Sequence, residues 1–540
     1  MRYFSISGKT AVVTSVAIAI LVLTTRGASQ SPVQQPPPAQ GKTAPAPLKV
    51  STRIVQVNVI AQDGNGHSIT GLTQEDFTLL DQGQPQQIAF FSQEETTASA
   101  GVTPAAAPPP NTFSNRFTEK AGSPTSATVI LLDGLNTHSI DMSNARKQVA
   151  GFLSQIQPQD RVALYLLSSN LTILHDFTQD SSALLRALEH SKNPENSKIS
   201  ATEPEPADTG NADFDTAITA ADARTVEFYM NDRVEQTALA IKTIADHLLG
   251  LPGRKNLIWV SSSFPINIIS GDLTIENVSY VSQIEDAARS LNNANVAIYP
   301  VDARGLITGA LGFHPDTVRR NGLRGAPGGT SPASSDFDTM TTLADRTGGR
   351  AYFNTNDIQG AVRKAIDDSR LTYVLGYYPS NANWDGKFHE IKVQVKKSGV
   401  HLHFRHGYYA LVDANSTPQE KAQLMSDAAW SPLESTALGL TVQVQPIEAE
   451  GAHQLKALVR VKMRELRFEQ IGDNWTDSLE VEWVLVGNTG KSLGTISKTR
   501  PLSYAQVTYE SASPKDVAFM DVMKIMDGAV ELRLVMRDTG

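Results

Sequence analysis

The sequence predicts a multidomain α/β plus β chain, with a central α/β domain flanked by β-rich modules. Three observations lead there. Residues 127–378 alternate short apolar runs with segments of helical period. Residues 49–92 and 435–540 alternate apolar and polar residues with period two, broken by Gly turns. Two Pro/Ala-rich stretches separate these regions. At 540 residues the chain is long enough for three or four domains.

The N-terminus reads as a secretory signal peptide over residues 1–29. Arg2 and Lys9 form a basic start, residues 11–23 a short apolar core, and Gly27, Ala28 and Ser29 a small-residue cleavage site. An uncleaved anchor is the alternative, but a span needs roughly 17–25 apolar residues. Cleavage removes three basic residues (Arg2, Lys9, Arg26) and no acid, taking the net charge from −9 to −12. Residues 30–47 form a Pro-rich linker that stays extended. Residues 48–94 form a small β module, in which "TRIVQVNVIAQD" and "DFTLLDQGQPQQIAFFS" supply the strands. An Ala/Pro-rich linker follows at 95–126.

The α/β domain spans 127–378. Its strands are "ATVILLD", "RVALYLLSS", "LTILHDF", "NLIWVSS", "VAIYPVD" and "RAYF". The first helix carries Val149, Phe152, Leu153 and Ile156 at i, i+3, i+4, i+7. Alternating strands and helices give a mostly parallel sheet covered on both faces. "ALYLLSSNLTILHDF" is too compact for a crossover helix and must be an antiparallel hairpin. The polar insert at 190–215 reads as a mobile loop. Residues 379–411 read as a β extension packed on this domain, and 412–540 as a C-terminal β-sandwich-like domain.

Composition narrows the function. With 40% hydrophobic residues the chain can build real cores, and a net charge of −9 without a basic run argues against nucleic acid. With no cysteine, an exported chain must rely on its cores or on metal. After signal cleavage no segment is apolar enough to span a bilayer.

Several stretches together resemble a known family. "GHSITGLTQEDFTLLDQGQPQQIAFFS", "VILLDGLNT", "LLGLPGRKNLIWVSSSFP", "VAIYPVDARGL", "LADRTGGRAYFNTND" and "YVLGYYP" occur in this order over residues 49–411. They resemble the von Willebrand factor type A (VWFA)-related exported proteins found in acidobacteria. The resemblance implies a central von Willebrand factor A-like doubly wound sheet. It also implies a metal-ion-dependent adhesion site at the carboxyl ends of the strands, where open α/β sheets bind ligands. In that family the first strand ends in Asp-x-Ser-x-Ser, a later Thr and Asp add oxygens to one Mg²⁺, and a partner's carboxylate completes the octahedron. Hard oxygen donors suit Mg²⁺ or Mn²⁺.

Here the corresponding run is Asp133-Gly134-Leu135-Asn136-Thr137. Asp133 and Thr137 match, while Leu135 removes one hydroxyl. Asn136 or Ser139 is the substitute donor. Thr237 is the candidate for the later Thr. Ser261, Ser262 and Ser263 stand where the second acid belongs. Asp302 ends another strand and is either a rim charge or the ion-pair partner of Arg304. The candidate metal residues are therefore Asp133, Asn136, Thr137, Thr237, Ser261 and Asp302, a degenerate set. The alternative is a metal-free polar pocket in which Asp133 caps the helix starting near Ser139 or Asp141.

Other signals point elsewhere. His401 and His403 share one strand face with His406 nearby, either as a zinc site or as solvated surface histidines. "GNTGKS" at 487–492 has Leu485 where a phosphate loop needs Gly, and reads as a hairpin turn. Asp63-Gly64 has no Ca²⁺-loop spacing around it, and no G-x-S-x-G, H-E-x-x-H or Cys/His pair occurs. These readings lead to an exported protein of the periplasm or cell surface. It is not an enzyme, and it binds a protein or cell-envelope ligand at the rim of the α/β domain. The alternatives are a structural envelope component without a rim ligand, or a hydrolase with its site outside that domain.

Overall fold

A computed structural model describes residues 54–95, 109–116, 127–262 (except 158, 193–196, 203, 205, 206 and 252), 281–306, 332–410 (except 381–383) and 417–539 (except 450, 451 and 513–515). The expected signal peptide, the linker at 30–47 and Ser263 lie outside these residues. The chain is a mixed α/β protein with several sheets.

The first strands are β1 (Val55–Gln62), β2 (Phe77–Asp81), β3 (Gln84–Gln86), β4 (Ile88–Glu95) and β5 (Thr112–Ser114). The α/β region follows with β6 (Ala127–Asp133), α1 (Ser139–Leu153), β7 (Val162–Leu167), β8 (Leu171–Thr178), α2 (Ser181–His190), α3 (Ser197–Ala201), α4 (Ala212–Leu248), β9 (Lys255–Ser261), α5 (Val281–Asn293), β10 (Val296–Asp302), α6 (Pro332–Thr347) and α7 (Ile358–Asp367). Then come β11 (Leu371–Tyr377), β12 (Phe388–Val395), β13 (His401–Phe404), β14 (Gly407–Tyr409) and α8 (Pro418–Trp430). The chain continues with β15 (Leu440–Ala449), β16 (Ala452–Lys462), β17 (Glu469–Ile471), β18 (Asn474–Gly487), β19 (Ser492–Ala505), α9 (Gln506–Ala512), β20 (Asp516–Lys524) and β21 (Ala529–Asp538).

The central sheet has the order β10-β9-β6-β7-β8. Four strands are parallel and β8 is antiparallel on β7, as the short spacing requires. Successive side chains of a strand point to opposite faces, and β6 shows the consequence. Val129 and Leu131 join Ile241 and Ile244 of α4, Leu291 of α5 and Leu343 of α6. Ile130 and Leu132 join Val149 and Phe152 of α1, Leu184 of α2 and Val362 of α7. Strand order reverses at β6, since β7 lies on one side of it and β9 on the other. That reversal opens a crevice at the carboxyl ends of β6 and β9.

Strand pairing redraws the expected boundaries. β11, assigned from sequence to the 127–378 domain, pairs antiparallel with β1 and β4 in a sheet of order β13-β1-β11-β4. A second sheet, β14-β12-β2-β3, packs on it. The described residues of 54–95 and 371–410 are thus two halves of one sandwich. Tyr373 of β11 shows why: its ring lies against Phe77 and Phe91, and its hydroxyl donates to the Ile69 carbonyl. The strands before residue 95 cannot cover their apolar side without it.

Three smaller expectations also change. "RAYF" makes a single bridge, Val301↔Tyr352, because two hydrogen bonds tie Tyr352 to Pro300 and Asp302 before the chain turns through the positive φ of Asn354. The linker at 95–126 contains β5, which pairs with Thr441–Gln443. The insert at 190–215 contains α3 and the start of α4, whose N-cap Asn211 accepts from the backbone N–H groups of Asp213 and Phe214. In the C-terminal region two sheets, β20-β16-β15-β5 and β17-β18-β19 with β21 on β18, enclose Val459, Val461, Leu479 and Trp483. "GNTGKS" is the turn between β18 and β19, closed by the Gly487 N–H to the Lys491 carbonyl. Among the described residues no helix is long and apolar enough to cross a membrane.

Candidate functional site

The crevice between β6 and β9 collects most of the candidate residues. Asp133 is the last residue of β6 and is 0% exposed. Its carboxylate is saturated by donors. Oδ1 accepts the backbone N–H of Leu135 at 3.1 Å and of Asn136 at 3.0 Å. Oδ2 accepts Asn136 Nδ2, Trp259 Nε1 and Ser261 Oγ, each at 2.9 Å. Burial raises the pKa of this carboxyl, and the bonds from Asn136, Trp259 and Ser261 pull it back.

The network continues outward. Asn136 Nδ2 also donates to Thr237 Oγ1 at 2.7 Å, and Thr237 donates in turn to the Arg233 carbonyl at 2.8 Å. Asn136 Oδ1 accepts from Arg233 Nε at 3.1 Å. Arg233, only 4% exposed, reaches on to Thr202 at 3.1 Å. Thr137 Oγ1 accepts the Ser262 backbone N–H at 3.0 Å, and Ser262 Oγ donates to Asp141 at 3.3 Å.

Thr237, Asn136, Asp133 and Ser261 are therefore linked in one chain of hydrogen bonds, and Thr137 sits beside them through Ser262. Asp302 is level with Ser261 across the β9–β10 pair. Its charge is spent locally, because Arg304 Nε donates to Oδ1 at 3.0 Å and a second guanidinium nitrogen to Oδ2 at 3.1 Å. Burial raises the Asp302 pKa and Arg304 lowers it. Asp302 is thus the ion-pair partner of Arg304. Asp133 does not cap α1, whose N-cap is His138 with no side-chain capping bond to the helix, and Ser139 is exposed.

These residues do not fit Mg²⁺ or Mn²⁺. A divalent cation needs lone pairs from several oxygens converging on one point. Here the Asp133 oxygens face N–H and O–H donors. Leu135 is buried in the apolar core. The amide oxygen of Asn136 and the hydroxyl of Thr137 already accept bonds, the former from a guanidinium. Among the described residues no group of three or more His, Asp or Glu side chains is placed to hold a metal. His403 Nε2 meets an Arg350 guanidinium nitrogen at 2.5 Å, which speaks against the alternative of a zinc site on β13.

Two members of the network escaped the sequence reading. Arg233 had a visible signal, since it falls on the same α4 stripe as Thr237, Ala240, Ile241 and Ile244. A cation on an apolar stripe marks a buried polar partner. Trp259 gave no such sign, because an indole in an apolar strand reads as core.

No protein-family model matches the sequence, and no curated protein matches it. Solved structures give partial likenesses. An aerotolerance-related membrane protein from Bacteroides fragilis is 12% identical, covers 45% of this chain and 98% of its own, and has a TM-score of 0.26. The SpRpn10 VWA domain is 12% identical, with 45% and 96% covered and a TM-score of 0.23. The vWF domain of the type V pili tip protein Mfa5 from Porphyromonas gingivalis is 10% identical, with 34% and 82% covered and a TM-score of 0.21. At these scores none of the likenesses carries weight for fold or function.

Proposed function

We propose that the chain is an exported, non-enzymatic recognition protein that binds a protein or cell-envelope ligand at the rim of a von Willebrand factor A-like domain, and that it does so without a metal ion. The observation that carries this reading is the saturation of Asp133, whose two buried oxygens accept five hydrogen bonds. In this reading the degenerate adhesion site is a lock. It ties β6, β9 and α4 together at the switch point and presents a fixed surface to the ligand. Rigid elements hold a binding surface more precisely than loops do. Ile140, 80% exposed at the start of α1, supplies an apolar contact beside that lock.

Capture from envelope extracts tests the proposal. The immobilised chain from residue 30 onward should retain the same partner in Mg²⁺ and in EDTA, and Ile140→Asp should release it. Capture that disappears in EDTA, or that ignores Ile140→Asp, would contradict metal-free binding at the rim.

A further inference from the structure

The long helix α4 does two different jobs along its length. From Arg233 to Leu248 it packs on the sheet through Val234, Ile241, Ile244 and Leu248. Thr237 marks the level of the rim, because it bonds to Asn136 at the carboxyl end of β6. The helix begins at Ala212, so its first twenty or so residues run on past that level for roughly 30 Å at 1.5 Å per residue. In this stretch α3 holds one side, through Lys198 to Asp232 at 2.5 Å, and Thr202, just after α3, bonds Arg233.

Beyond the contacts with α3, this stretch carries a defined stripe. Phe214, Ile218, Ala221, Thr225 and Phe228 fall at i, i+4, i+7, i+11 and i+14, the spacing of a coiled-coil seam. Phe214 is 58% exposed and Phe228 66%, although an aromatic side chain gains most from burial. Between them Ala221 and Thr225 are small and exposed, which leaves room for a partner's large side chain. Residues 212–231 around the stripe carry four acids, Asp213, Asp215, Asp222 and Glu227, against Arg224.

We infer that the N-terminal half of α4 is a docking surface for a basic amphipathic α-helix of another protein. The heptad spacing specifies a helix as occupant, because only a helix presents side chains into such a seam. The acidic excess of this segment specifies its charge. It repels a second copy of this helix, and it repels anionic lipid and nucleic acid in the same way. This surface is separate from the rim lock, and the inference stands whether or not a ligand binds there.

A labelled 21-residue peptide of leucine and lysine, with leucine at the a and d positions, is the probe. Fluorescence anisotropy against the chain from residue 30 onward should show saturable binding that weakens as salt is raised. The peptide with glutamate for lysine, and the peptide with alanine for leucine, should each bind at least tenfold more weakly. The Phe214→Ser/Phe228→Ser double variant should lose at least about tenfold, as truncated aromatic anchors do. Thr225→Arg, also exposed, should lose a similar factor, and circular dichroism should show both variants folded. Ile140→Asp at the rim should leave peptide binding unchanged. Undiminished binding by the double variant would reduce the effect to charge attraction and overturn the inference. So would absence of binding, or Phe-dependent self-association in the ultracentrifuge.

Discussion

Replacing Asp133 by asparagine exchanges one oxygen for an amino group and reverses part of the crevice's hydrogen bonding. The amide oxygen can keep the backbone N–H groups of Leu135 and Asn136, which Oδ1 accepts now. The new amino group then faces Asn136 Nδ2 and Trp259 Nε1, both donors fixed at 2.9 Å. Ser261 can rotate its hydroxyl and accept, so two buried donors lose the oxygen they now bond. Each such loss costs about 1–3 kcal/mol. The neutral side chain is easier to bury than the carboxylate, which offsets part of the loss. A net destabilisation of about 3 kcal/mol is expected, or a midpoint lowered by roughly 6–12 °C for a domain of this size. Thermal unfolding at pH 7.5, followed by Trp fluorescence, measures it. A variant as stable as wild type would refute the reasoning, because it would mean that Asp133 does not accept from these donors.

Three other substitutions test neighbouring parts of the structure. A Cβ on Gly349 would lie 1.8 Å from the Ile298 carbonyl oxygen, a backbone atom that cannot swing aside, so Gly349→Ala should cost about 3 kcal/mol in denaturant unfolding. Arg233→Met keeps the volume but leaves Asn136 Oδ1 and Thr202 without their guanidinium, and should cost about 2 kcal/mol in the same measurement. Burial, and then the cations of Arg350 and Arg254, hold His403 down to about 4 from its ordinary value of 6.5. Within that window the unfolded chain binds the extra proton, so stability rises with pH and is lost as pH falls from 6.5 towards 4. His403→Gln should flatten that part of the stability–pH curve, and an unchanged slope would assign the acid sensitivity to another group.

The strands of the central sheet were legible because their apolar runs are short and evenly interrupted. β11 was not. "LTYVLGY" is buried on both faces, and such a run looks the same in a parallel sheet and in a sandwich. Only pairing with β1 and β4, far earlier in the sequence, distinguishes the two. β5 is three residues long, too short for period two to register. In the crevice, position was readable and polarity was not. A strand-ending Asp133 followed by Asn136 and Thr137 places oxygens at a sheet edge. Whether they face a cation or N–H donors depends on Arg233 and Trp259, which arrive from α4 and β9.

Calorimetric titration with Mg²⁺ and Mn²⁺, on wild type and Asp133→Ala, tests the metal-free lock most directly. The chain from residue 30 onward, without a partner, should show no saturable heat that depends on Asp133 up to millimolar metal. Tight Mg²⁺ or Mn²⁺ binding that vanishes in Asp133→Ala would contradict the account, since it would require the Asp133 oxygens to be open to a cation.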